Sequence, residues 1–283
     1  MRDLNDFSLK VTDFSSLVNK QDMAIVNEHF GMLLNVGPYL GNFIHVGQPY
    51  RFAEGRILLV TSGTADCELT LESQHFAKGD IILIAPETIM ELKSCSSDFS
   101  MIGIICKESI TQIKNITLRA QEKDWNETME LAGCLWNLAR HKPFRRDAVN
   151  MLVSTIISNV SSISTSEQEI RNTGKTSRQE QQFQRFRKLV NEHCCTERSV
   201  SFYADKLAVT PHYLSSLISS VSGKNVMYWI RKAVIIQAKI MLKEKGLFVY
   251  EAADRLNFPS QSAFGRFFRK ETGMSPGEYQ RSE

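Results

Sequence analysis

Ala253-Asp254-Arg255-Leu256-Asn257-Phe258-Pro259-Ser260-Gln261-Ser262-Ala263-Phe264-Gly265-Arg266-Phe267-Phe268-Arg269-Lys270-Glu271-Thr272-Gly273 decides the fold of the C-terminal part of this chain, because it is the second copy of a pattern. The first copy reads Ala204-Asp205-x-Leu207-x-Val209, then Leu214-x-x-Leu217-Ile218, then Ser222-Gly223. The copies are offset by 49 positions up to the central turn and by 50 after it, so the second turn holds one extra residue. Each copy has the form of a helix-turn-helix unit. Two units in one chain can enter two major-groove segments without a second subunit.

Each copy has a physical logic. Ala204 and Ala253 supply the small residue needed where the second helix crosses the first. Leu207 and Leu256 begin each core, and Val209 and Phe258 close each turn. Thr210 is a natural N-cap, and Pro211 stands at the first helical position, where its missing N–H is harmless. Leu214, Leu217 and Ile218 point inward, as do Phe264, Phe267 and Phe268 in the second copy, where Ser260 is the cap. The expected reading face is therefore Pro211, His212, Ser215, Ser216 and Ser219 in the first unit. In the second it is Ser260, Gln261, Ser262, Gly265, Arg266, Arg269 and Lys270. Arg266 suits a bidentate contact to guanine and Gln261 one to adenine. Arg269 and Lys270, one turn later, suit phosphates. Between the units a helix is predicted from Asn225 to Lys243, with Trp229, Ala233, Ile236, Ile240 and Met241 apolar. At 1.5 Å per residue it is roughly 28 Å long, close to one turn of DNA.

Charge follows the same division. Residues 179–283 hold 16 Lys and Arg against 10 Asp and Glu, whereas residues 1–178 hold 18 against 21. The basic excess lies in the half with the repeat, as a polyanion-binding module requires. The 283 residues suffice for two cores, and 42 % hydrophobic with 23 % charged residues is an ordinary globular balance. None of the six cysteines forms a C-x-x-C pair, and Cys194-Cys195 are adjacent, which suits neither a usual disulfide nor zinc. Met1 to Lys10 contain no signal-peptide apolar core, and no run approaches the ~20 apolar residues that span a bilayer. The reading is a soluble protein of a reducing cytoplasm, with no membrane partner.

Residues 23–106 read as short β-strands. Arg56–Val60, Asp66–Leu71 and Ile81–Ile84 are separated by turn signals at Ser62-Gly63, Lys78-Gly79-Asp80 and Pro86-Glu87, the spacing of a barrel or sandwich. The Gly79-Asp80 turn followed by Pro86 resembles the small cupin barrel. Over residues 119–163 the period becomes helical, through Trp125, Met129, Ala132, Leu135, Trp136 and Leu138. After a break at Lys142-Pro143 it resumes from Asp147 to Ser162 through Val149, Leu152, Val153, Ile156, Ile157 and Val160. These two helices can pack on the barrel alone or also on a second subunit. The expected organisation is α+β and multidomain. A cupin-like barrel with two helices (1–163) is followed by a polar linker (164–181) and an all-α domain (182–283) whose two helix-turn-helix units are joined by a long helix.

The run from Asn257 through Tyr279 resembles the DNA-binding domain of the AraC/XylS family of bacterial transcriptional regulators. The family pattern there is G-F-x-[ST]-x-S-x-F-x-R-x-F-[KR]-[KR]-x-x-G-x-[ST]-P-x-x-[FY]-R. Asn257 replaces the usual turn glycine, which Asn tolerates better than most residues. Gln280 replaces the common final arginine, and Ser216, Ser219 and Ser220 stand where the family often has Arg or Lys. The resemblance implies promoter DNA and RNA polymerase as partners, a cupin-type N-terminal half that binds a small effector, dimerises (here through residues 119–163) or does both, and activation as the commoner role.

The barrel region offers only His29, His45 and His75, with no His-x-His, so a metal site fails on ligand count and no cofactor or enzymatic activity is expected. Tyr39, His45, Tyr50, Arg51 and Arg56 are the residues that could line the mouth of an effector pocket, under a polar arm reaching from Met1 to about Asn19. Three readings are weighed: a regulator whose barrel senses a small molecule, a regulator controlled through a partner protein or its own abundance, and a cupin enzyme fused to a DNA-binding tail. The lack of a ligand set disfavours the last.

Overall fold

The computed structural model describes residues 8–9, 23–37, 41, 43–110, 113–171, 178–244 and 246–282. They divide into two compact units, a β-rich one taking in most of residues 8–174 and a helical one from Lys175 onward. The fold is α+β, as the sequence predicts.

Among the described residues of the β-rich unit, eleven short strands run in the order β1 (Ser8–Leu9), β2 (Ala24–Val26), β3 (Phe30–Leu33), β4 (Pro49–Phe52), β5 (Arg56–Ser62), β6 (Thr64–Leu69), β7 (Glu72–Ala77), β8 (Asp80–Ile84), β9 (Ile89–Cys95), β10 (Ser100–Cys106) and β11 (Ile116–Arg119). They form a five-stranded sheet, β1-β4-β9-β6-β7, and a six-stranded sheet, β11-β8-β5-β10-β3-β2. β5 and β8 lie inside the larger sheet, which is why their sequences read as continuous apolar runs rather than alternating ones. One face, with Leu58, Val60, Ile82 and Ile84, joins Phe52, Leu69, Met90 and Leu92 of the other sheet in an intersheet core. The opposite face, with Ile57, Leu59, Ile81 and Leu83, is covered by helices. The β5–β6 turn needs Gly63: its φ is +66°, and a Cβ there would come within 2.6 Å of the Phe99 backbone.

The covering helices are α1 (Glu122–Ala139) and α2 (Arg146–Arg171). Ala132, Leu135 and Ala139 of α1 and Val149, Val153, Ile156 and Val160 of α2 are buried on the sheet, with Trp125, Met129 and Trp136 packed beside them. The helical stripe read from the sequence is thus the stripe that faces the β core. α2 runs nine residues beyond the expected end at Ser162, into the stretch expected to be linker, and α3 (Arg178–His193) starts four residues before Gln182. No Gly or Pro occurs between Ser162 and Gly174. Once a helix exists each further residue adds a hydrogen bond, so polar composition alone does not stop it. Ser162 and Thr165 also turn their hydroxyls onto the carbonyls of Ser158 and Ser161.

The helical unit continues through α4 (Val200–Lys206), α5 (Pro211–Ser222), α6 (Val226–Lys243), α7 (Val249–Arg255), α8 (Gln261–Thr272) and α9 (Pro276–Arg281). α6 begins one residue after the expected Asn225, which is its N-cap and accepts from the Tyr228 N–H. Buried residues take up most of the circumference of α6: Val226, Ile230, Val234 and Ala238 as well as the predicted Ala233, Ile236 and Ile240. The remaining side, with Tyr228, Lys232, Lys239 and Lys243, is half-buried, so the apolar face is wider than the single stripe of a surface helix. α6 packs against α3 and α5 on behalf of the first unit and against α7, α8 and α9 on behalf of the second.

Candidate nucleic-acid interface

In both copies the turn is built by the same hydrogen bonds. Val209 N–H donates to the Ala204 carbonyl at 3.0 Å, and Phe258 N–H to the Ala253 carbonyl at 2.9 Å. Ala204 and Ala253 are fully buried at the helix crossing. Ala208 and Asn257 occupy equivalent left-handed positions, at φ 54° and 52°. Thr210 and Ser260 then cap the second helices by accepting from Tyr213 and Ala263 N–H, and Gly223 and Gly273 end them in left-handed conformations. The caps fix where the extra residue lies: Thr210 follows Val209 directly, whereas Pro259 separates Phe258 from Ser260.

The cores beneath the two heads differ. The first rests on Phe186, Tyr203, Leu214, Leu217 and Ile218, with Tyr203 edge-on to Phe186 at 5.8 Å. The second is aromatic: Phe258 meets Phe264 and Phe267 at 5.2 Å each, and Phe268 meets Tyr279 of α9 at 5.5 Å. α9 itself is held by a capping box between Ser275 and Glu278.

The outward faces carry the expected residues. On α5, Pro211, His212, Ser216 and Ser219 are exposed; Ser215 is half-buried, and its hydroxyl donates to the Pro211 carbonyl at 2.9 Å. On α8 and its cap, Ser260, Gln261, Ser262, Arg266, Arg269 and Lys270 are exposed and Gly265 is half-buried. The side chains of His212, Ser216, Gln261, Arg266 and Lys270 make no hydrogen bond or ion pair among the described residues. Arg269 has a neighbour, the Glu278 carboxylate. Hydrogen bonds from Ser275 hold that carboxyl below its usual range, and the charges of Arg269 and Arg281 add to the effect. Three cations on one exposed helix, two with no partner, form a surface that an anionic duplex can engage without breaking existing bonds.

Three features of this surface escape the sequence reading. Ala208 gives no propensity signal for its left-handed turn, although its register with Asn257 does. Tyr213 is exposed beside the cap and donates to Gln182 at 3.2 Å. Arg198, in the loop before α4, reaches the turn of the other head, 59 residues away in sequence.

Four of the five barrel candidates fall among the described residues. Tyr39, like the arm from Met1 to Asn19 apart from the β1 backbone, lies outside the described residues. His45 is exposed; its backbone N–H donates to the Tyr50 hydroxyl at 3.0 Å. Tyr50 itself is buried in the intersheet core, and burial raises its pKa. Arg51 pairs with Glu87 at 3.5 Å. Arg56, expected at the mouth of a pocket, is buried on the interior strand β5, because its position alternates with Leu58 and Val60 toward the intersheet core. There its guanidinium lies 4.1 Å from the centre of the Phe52 ring and faces a small space, partly open to solvent, otherwise lined by apolar groups including Leu33, Phe43, Met90 and Met101. Among the described residues no three His, Cys, Asp or Glu side chains converge as metal ligands, and no helix is long and apolar enough to cross a membrane.

Residues 203–282 match the family model for a helix-turn-helix domain. The chain is 32 % identical over 71 residues to the HTH-type transcriptional regulator YpdC of Escherichia coli, covering 25 % of each chain. It is 24 % identical over 90 residues to the regulatory protein SoxS of Salmonella typhimurium, covering 32 % of this chain and 84 % of that one. Among solved structures, ToxT from Vibrio cholerae aligns with 89 % of this chain and 98 % of its own, at 14 % identity and a TM-score of 0.40. The match to YpdC spans a quarter of that relative, and a match to a second regulator of Escherichia coli, YijO, spans half.

Proposed function

We propose that residues 203–282, which match a helix-turn-helix domain model, form a DNA-binding domain of the AraC type, and that the chain is a sequence-specific transcriptional regulator reading promoter DNA with both heads. The observation that carries the reading is the pairing of two turns closed by the same hydrogen bonds with an exposed α8 on which Arg266 and Lys270 have no partner among the described residues. α8 supplies the stronger anchor: Gln261 and Arg266 read bases, and Arg269 and Lys270 hold phosphates. α5 contributes short polar contacts from His212, Ser216 and Ser219, and Pro211 and Ser260 set the two reading helices at their first turns. Heads so unequal read a non-palindromic site. The protein acts as an activator in the cytoplasm, with RNA polymerase as its partner at the promoter, and performs no catalysis.

The β-rich unit is the control domain. The space beside Arg56, with one permanent cation in an apolar wall, supports binding of a small effector there. A homodimer through residues 119–163 would use the outward sides of α1 and α2, where Met151 is exposed, since their apolar stripes face the sheet.

Substituting Arg266→Ala tests the DNA reading. Loss of a bidentate base contact costs about 1–3 kcal/mol at one base pair of the site and relaxes the preference there. Unchanged affinity and unchanged preference would remove α8 from the reading surface. A metabolite screen by thermal shift on the full chain tests the control domain: stabilisation that Arg56→Met abolishes supports an effector, and a broad screen without a hit favours control by a partner protein or by abundance.

A further inference from the structure

The two heads are joined by more than α6. The loop between α3 and α4 carries Arg198, whose guanidinium donates to the carbonyl of Leu256 and, at 3.3 Å, to that of Asn257. These carbonyls end α7, where a cation is also favoured by the helix dipole. The same guanidinium lies 3.9 Å from the centre of the Phe258 ring. A return bond runs the other way: Asn257 Nδ2 donates to the Thr196 carbonyl at 3.1 Å. The loop before the first head and the turn inside the second therefore clasp each other through three hydrogen bonds and a cation–π contact.

Both ends of the clasp are rigid. On the first head, Thr196 and Glu197 N–H groups are tied to the His193 carbonyl, the Tyr203 hydroxyl donates to the Glu197 carbonyl at 2.8 Å, and Ser199, next to Arg198, caps α4. On the second, Phe258 is wedged against Phe264 and Phe267. The covalent path between the heads leaves α6 through extended backbone at Glu244 and a left-handed Gly246 before α7, so the clasp is a second connection alongside it. Arg198 is half-buried and burial lowers its pKa, so the carbonyls and ring of the opposite head offset part of the cost of desolvating its charge.

The clasp also accounts for a departure noted in the sequence. Glycine at 257 would satisfy the φ of 52° without strain, but only a side chain can donate to Thr196.

We propose that Arg198 and Asn257 are positioning residues that set the spacing and rotation of the two reading heads, and so make the protein selective for the distance between its two half-sites. The inference rests on the reading that both heads engage DNA. Neither residue is on the reading face; each acts by holding one head against the other.

The test uses the full chain and a high-affinity duplex obtained by in vitro selection, compared with the same duplex carrying one extra base pair between the half-sites. That insertion turns one half-site relative to the other by about 34°. A rigid reader can then engage only one half-site at a time, and wild type is expected to lose roughly 100-fold in affinity, the scale on which bivalency is lost. Arg198→Met and Asn257→Gly are expected to lose only about tenfold, while each keeps wild-type affinity for the isolated second half-site. Asn257→Gly keeps the turn conformation, so it decides the matter should Arg198→Met not fold. Variants that retain the full wild-type penalty would overturn the clasp alone. A wild-type chain indifferent to the insertion would overturn both the clasp and the two-headed reading.

Discussion

Ala208→Gly should make the first head more stable, against the usual effect of introducing glycine. Ala208 sits at φ 54°, the position that Asn257 fills in the second head. An alanine held left-handed costs about 1–2 kcal/mol. Glycine adds about 0.4–1 kcal/mol of chain freedom to the unfolded state, which opposes the gain. Ala208 is exposed, so removing its Cβ forfeits little burial, and its N–H keeps the 3.0 Å bond to the Asp205 carbonyl. The net expectation is a gain of about 0.5–1 kcal/mol, or roughly 2–8 °C for a unit of about a hundred residues. Trp229 makes a local reporter, because its indole N–H donates to Ser222 of α5 at 3.0 Å. The other two tryptophans, Trp125 and Trp136, lie on α1, and replacing both by phenylalanine leaves Trp229 as the sole tryptophan, selectively excited at long wavelength, for urea unfolding. In that background Ala208→Gly should raise the midpoint and Ala208→Val should lower it, since a β-branched residue fits the left-handed region worst. A lowered midpoint for glycine together with no change for valine would refute the left-handed turn.

The double variant Arg269→Ala/Lys270→Ala should flatten the dependence of log K on log salt by about 1.8, with equal losses on cognate and scrambled duplexes, because phosphate contacts carry no sequence information. Titration of DNA at four salt concentrations measures the slope, and a loss confined to the cognate duplex would place these side chains on bases instead. The Glu278 carboxyl is depressed in the folded chain by its bonds at Ser275, so its contribution to stability is present above the unfolded glutamate pKa of about 4.3 and fades as pH falls through the folded value. Glu278→Gln should therefore flatten part of the acid limb of a stability–pH profile below about pH 4.5 and leave its neutral region with a parallel slope, as equilibrium unfolding at stepped pH would register.

What could be read from the sequence divides along a physical line. Caps, small crossing residues and apolar registers are local, so Thr210, Ser260, Ala204, Ala253 and the inward phenylalanines appear in the chain as they do in the fold. The polar side of α8 follows from the same period, because a helix that buries Phe264 and Phe268 must present Arg266, Arg269 and Lys270. Burial set by tertiary partners is a different matter. The wide burial of α6 depends on two heads packing on it, and its sequence period shows only one stripe. Arg56 reads as a residue of the pocket mouth until strand order places β5 inside a sheet. Arg198 is the extreme case: one basic residue in a short loop, with no periodic neighbours and with partners fixed only when the second turn arrives beside it. The repeat nevertheless contained one overlooked clue. Aligning the copies sets Ala208 against Asn257, and a position that is asparagine in one copy and glycine in the family pattern demands positive φ in both copies. The two copies therefore meet the same backbone demand differently: the first head bears the strain of an alanine, while the second uses a side chain that also holds the heads together.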